Sequence, residues 1–156
     1  LMTSVCDNKS VGVIIRDGDK FALIKRKNFP VSYAFVAGHL DGDTPEGAAK
    51  KEALEEVGIT VKELEKKLEL KCFYSCRRDI DTWHQWFVFE ATEWEGDLNA
   101  SSDAKEARWV SLEDLRALAG KTKTILKNEG VPIDESTESA KNSKPANTST
   151  GNATDE

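Results

Sequence analysis

Residues 44 to 58, TPEGAAKKEALEEVG, constrain the chain more than any other segment. Thr44 is a helix N-cap, Pro45 suits the first helical position, and Glu46 complements the positive end of the dipole. Gly58 supplies a left-handed stop, so the spacing predicts a helix from Pro45 to Val57. Ala49, Ala53 and Val57 form a narrow stripe of small residues, which lets that helix lie close against a sheet. Glu52, Glu55 and Glu56 sit beside the stripe, the latter two about 60° and 40° to either side of the first. Like charges at such spacings cost roughly 0.2–0.5 kcal/mol per pair, and helix stability alone would place lysines among them. A hard divalent cation turns that cost into binding, because Mg²⁺ or Mn²⁺ takes oxygen ligands and is commonly held by carboxylates beside a phosphate. The segment therefore predicts a metal-dependent site for phosphate chemistry.

The flanking residues supply a sheet. Val11–Ile15 and Phe21–Lys25 are β-rich runs joined by Asp17-Gly18-Asp19, the signature of a hairpin. Tyr33–Ala37 predicts a short strand leading into Gly38. Further strands are expected over Leu68–Ser75, His84–Glu90 and Ala107–Val110, with a polar loop from Arg77 to Asp81. Ser111 caps a second helix, with Asp114 in the capping-box position and Gly120 near its stop; residues up to about Gly130 extend it as another helical segment. The class is α/β.

The 156 residues suffice for one domain with a core. From Asp134 onward the only hydrophobic residues are alanines, too little apolar surface to offset ordering entropy. The expected organisation is an N-terminal arm (1–9), a folded domain (10–130) and a disordered polar tail (131–156). A net charge of −6 argues against a nucleic-acid polymer as partner, and leaves a small phosphorylated ligand open. No apolar run reaches the ~18–20 residues of a membrane span, and LMTSVCDNKS has no secretory character. Cys6, Cys72 and Cys76 lack paired zinc-site spacing, so they read as reduced core or loop residues of a cytoplasmic protein.

The segment from Gly38 to Ile59 resembles the Nudix box, whose pattern is G-x5-E-x7-R-E-U-x-E-E-x-G-U with U a bulky aliphatic residue. The match is carried by Glu52-Ala53-Leu54-Glu55-Glu56-Val57-Gly58-Ile59, and the resemblance extends to the preceding hairpin, the following strands and Trp109–Leu115. Three positions depart from the pattern. Asp43 stands one residue early in place of the first glutamate, Lys51 replaces arginine, and Ala53 replaces a larger aliphatic. Arginine offers a planar fork to a neighbouring carboxylate, whereas lysine offers a point charge.

The resemblance implies an α-β-α sandwich, a mixed β-sheet flanked by helices. It also implies Mg²⁺- or Mn²⁺-dependent hydrolysis of a nucleoside diphosphate linked to another group. Glu55 and Glu56 would be metal ligands and Glu52 a third ligand or the general base. Gly38 would allow close backbone approach, and Glu106 is the nearest candidate for a later loop ligand. Lys25, Arg26, Arg77 and Arg78 are candidates for phosphate contacts, each also readable as a solvated charge. His84 reads as a strand-surface or core histidine. Trp83, Trp86, Phe87 and Phe89 read mainly as core; one of them, or Tyr33 or Phe35, is available to stack on a base. By elimination the substrate reading is a nucleoside triphosphate, as for MutT-like pyrophosphatases. ADP-ribose or nucleotide sugars, dinucleoside polyphosphates and a non-catalytic nucleotide-binding module are the alternatives. The partner is thus a small nucleotide, and the family's habit of dimerising makes a homodimer compatible.

Overall fold

Ser10, Val11, Gly12 and Val13 are all buried, and their strand lies inside a sheet rather than forming half of a simple hairpin. The computed structural model describes residues 5–28, 30–73, 78, 83–102 and 104–131. The first sheet has the order β5-β1-β7-β6, with β1 Lys9–Ile14, β5 Val36–His39, β6 Thr60–Phe73 and β7 Trp83–Glu95. β1 runs antiparallel to β5 and parallel to β7, pairing Val11 with Gly38 on one side and Phe87 on the other. The second sheet is built on β3 (Lys20–Arg26), which pairs antiparallel with β2 (Arg16–Asp17), β4 (Tyr33–Ala34) and β8 (Ala104–Ser111).

The expected hairpin survives only at its tip. Arg16–Asp17 pairs with Phe21 and Lys20, while the chain before Ile15 belongs to the other sheet. The chain crosses back at Phe35, so the expected strand Tyr33–Ala37 is divided between the two sheets. Helix α1, Pro45–Val57, packs on β5, β1 and β6, and helix α2, Leu112–Asn128, packs on β8, β3 and β4. The result is a mixed sheet system flanked by two helices, the α-β-α arrangement.

Helix α1 has the limits its caps dictate. Thr44 Oγ1 accepts from the Gly47 amide at 3.1 Å. Gly58, at φ 72°, donates its N–H to Leu54 O at 3.1 Å, and the Ile59 N–H follows to Ala53 O at 3.3 Å, closing a left-handed cap. Ala49, Ala53 and Val57 are fully buried against Val11, Val13, Val36 and Ile59. A Cβ at position 58 would meet only ordinary contact, so Gly58→Ala incurs conformational strain alone. We expect it to lower unfolding free energy by about 1–2 kcal/mol, read as a reduced urea midpoint at unchanged m-value.

Helix α2 corrects the expectation of a stop at Gly120. It runs through that residue as one 17-residue helix, started by Ser111 Oγ accepting from the Asp114 amide at 3.1 Å. Exposed glycine weakens a helix by about 1 kcal/mol without ending it. Strands β6 and β7 are longer than their apolar runs predict, and they form an extended hairpin whose ladder slips near Glu63 and Lys66. Lys66–Glu69, Lys67–Glu90 and Lys62–Glu95 pairs cover it. Of its aromatics, Phe89 belongs to the core, Trp86 and Phe87 are half-buried, and Trp83 is exposed. Arg77 and the tail from residue 132 onward lie outside the described residues.

Candidate active site

Because α1 approaches the sheet through alanines, the carboxylates next to them reach the β5 backbone. β5 is an edge strand, so some of its N–H groups point away from β1. One of these, on Ala37, donates to Glu56 Oε2 at 3.3 Å. Glu52 lies over the next residue. A Cβ built on Gly38 would fall 2.3 Å from Glu52 Cδ and Oε1 and 2.8 Å from Oε2. Only glycine leaves room for that carboxylate, which is a reason for its presence independent of any turn. Glu52 and Glu56 are half-buried, and Glu55 is exposed on the same side of the helix.

Lys51 occupies the arginine position of the box. Its Nζ is 3.9 Å from Glu55 Oε1, a surface pair worth less than about 1 kcal/mol. Asp43 accepts from the Thr44 amide at 2.8 Å, so the early acid shapes the turn into α1. Arg78 grips the same turn. Its guanidinium forms a two-pronged pair with Asp41, with Nη2 3.1 Å from Oδ2. That hydrogen-bonded pairing holds the Asp41 carboxyl below the usual carboxylate range and raises the guanidinium above its own. Sequence reasoning treated Arg78 as a phosphate contact or a solvated charge and did not anticipate this anchor.

The remaining candidates gather elsewhere. Glu106 in β8 stands opposite Lys25 in β3, accepts from the Tyr33 hydroxyl and lies 3.7 Å from Arg108 Nε. Arg108 stacks on the Tyr33 ring at 4.3 Å, with Lys25 Nζ 5.8 Å from the same ring. The hydrogen bond to Glu106 and, less strongly, burial raise the Tyr33 phenol above its ordinary pKa. Arg26 follows Lys25 in β3, and its backbone N–H is bonded to Ser32 O at 2.9 Å. A cleft of about 240 Å³ opens beside this cluster, lined by Leu23, Tyr33, Phe35, Leu115 and Leu118 among others. The structure thus joins Gly38, Glu52 and Glu56 directly, and places Lys25 and Glu106 together on the second sheet.

An all-oxygen donor set beside a backbone cradle suits a hard divalent ion and disfavours a soft one. The family model described as NUDIX domain matches residues 7–128, and the chain belongs to the Nudix hydrolase family, whose members generally use a divalent metal. An ADP-ribose pyrophosphatase of Methanocaldococcus jannaschii is 35% identical over 122 residues, 76% of this chain and 70% of the relative. Among solved structures, the MutT protein of Bacillus halodurans matches with TM-score 0.60 and 24% identity, over 75% of this chain and 78% of that one. An Ap4A hydrolase of C. elegans matches with TM-score 0.56 and 22% identity, over 78% and 94%. Those two likenesses show the fold. Among the described residues, no helix is long and apolar enough to cross a membrane.

Proposed function

We propose that this chain hydrolyses the pyrophosphate bond of ADP-ribose or a closely similar nucleoside diphosphate linked to a sugar, with Mg²⁺ or Mn²⁺ held by Glu52, Glu55 and Glu56. The observation behind the chemistry is the fit of Glu52 over Gly38 with Glu56 bonded to Ala37. The bound ion would offset pyrophosphate charge and orient a water for in-line attack. Glu56 is fixed by the β5 amide and so serves as a ligand of defined direction. Glu52, half-buried beside the glycine, serves as a further ligand or as the base that accepts the water's proton. Water adds across one P–O–P linkage, and two phosphate monoesters leave.

The substrate assignment rests on the 35% identical ADP-ribose pyrophosphatase. It moves the emphasis from the nucleoside triphosphate expected by elimination, since the MutT likeness carries fold alone. The cytoplasmic setting follows from reading the cysteines as reduced. The deciding experiment compares kcat/KM with Mg²⁺ across ADP-ribose, nucleotide sugars, nucleoside triphosphates and dinucleoside polyphosphates. ADP-ribose is expected to rank first and to yield AMP and ribose 5-phosphate. Preference for a triphosphate would return the MutT-like reading. Nucleotide binding without turnover across the panel would establish a binding module instead.

A further inference from the structure

Next to Gly38 on β5 stands His39, and strand alternation turns its side chain to the face opposite the acidic helix. There it meets residues from two other segments. Cys6 Sγ lies 3.3 Å from His84 Nε2 and 3.7 Å from His39 Nε2. The ligand atoms of all three residues lie within 4.8 Å of one another. The two imidazole rings are 5.0 Å apart and inclined at 66°. His84 is fully buried and Cys6 is only 9% exposed.

These distances have a simple chemical meaning. Zinc bonds of about 2.3 Å to sulfur and 2.0–2.1 Å to nitrogen, at a tetrahedral angle, separate the two donor atoms by about 3.6 Å. The two observed sulfur–nitrogen separations, 3.3 and 3.7 Å, bracket that value. Two imidazole nitrogens from different strands converge on this one sulfur. The outer nitrogen of His84 is also fixed. Nδ1 lies 2.7 Å from Ser10 Oγ, and Ser10 is itself buried. A metal here requires Nδ1–H to donate to that oxygen, which the Ser10 hydroxyl can accept, so that the Nε2 lone pair faces Cys6.

We propose that Cys6, His39 and His84 form a zinc site, with the fourth position left to water or another small ligand. It is separate from the acidic site in both place and chemistry, since thiolate and imidazole select zinc over magnesium. Binding displaces the thiol proton to solvent, and no redox change is involved. The ion ties the segment ahead of β1 to β5 and β7, the two neighbours of β1. It thereby braces the strand that carries Ala37 and Gly38. The cysteines' lack of paired zinc-site spacing hides this cluster in the chain, because Cys6, His39 and His84 are far apart in sequence.

The test uses the full chain carrying C72A and C76A, which leaves Cys6 as its only thiol. Cys72 is removed because it stands opposite His84 in the β6–β7 ladder. After chelator treatment the protein is titrated with Co²⁺ and then Zn²⁺ in excess Mg²⁺. The expected result is one equivalent bound, a thiolate-to-cobalt charge-transfer band, displacement by Zn²⁺, and a rise in Tm with Zn²⁺. Adding C6A or H39Q should abolish the band and the Tm shift. A folded C72A/C76A chain without the band, or C6A taking up zinc as the parent does, would overturn the site. Should the double variant not fold, alkylation of the wild-type chain decides: Zn²⁺ protects Cys6, or the proposal fails.

Discussion

Glu56→Gln is expected to lower kcat about 10²–10³-fold at saturating Mg²⁺ while leaving the fold intact. The side chains are nearly isosteric, and the glutamine carbonyl can still accept from the Ala37 amide that Glu56 Oε2 now engages. What changes is the other end of the group, where an NH₂ replaces a negative oxygen. A ligand oxygen contributes to several kcal/mol of transition-state charge stabilisation, and each 1.36 kcal/mol is tenfold in rate. Loss of about 3–4 kcal/mol gives the stated range. The accompanying sign is a raised Mg²⁺ concentration for half-maximal rate. Turnover equal to the parent's, at the same Mg²⁺ requirement, would remove Glu56 from the metal site.

Gly38→Ala should be nearly as damaging, although it adds only a methyl group and no charge. Its Cβ would lie 2.3 Å from Glu52 Cδ, so the carboxylate must move by more than an ångström. Misplacement on that scale costs about 10²-fold in rate. The core should tolerate the change, because Glu52 is half-buried and the clash falls on the far end of its flexible side chain. The expected pattern is therefore a Tm within a few degrees of the parent with activity largely lost. Equal losses of stability and activity would mean that the glycine serves the fold and not the carboxylate.

How much of this was legible in the chain depends on the range of the interaction. The limits of α1 follow from Thr44, Pro45 and Gly58, each acting on neighbours within one turn, and the structure has them where cap chemistry puts them. The length of β6 was hidden because residues 62 to 67, KELEKK, carry little β preference, and the register shifts break the alternation that marks a strand. The two sheets were hidden because nothing local distinguishes a strand that crosses over at Ile15 from one that turns back. In the site, the shared face of Glu52, Glu55 and Glu56 is helical geometry and was readable. The contact of Glu56 with Ala37, and the pairing of Lys25 with Glu106 across 81 positions, are tertiary facts. So is the grip of Arg78 on Asp41.

The parallel pairing of β1 with β7 reaches from Lys9–Gln85 to Ile14–Glu90. A ribosome adding about 5–20 residues per second needs roughly 4–15 s to supply the second partner after the first has emerged. Throughout that interval Val11 and Val13 have a bare flank, since β5 covers only one side. The nascent polypeptide therefore carries an unpaired flank at the centre of the future sheet until residues 85 to 90 have been made.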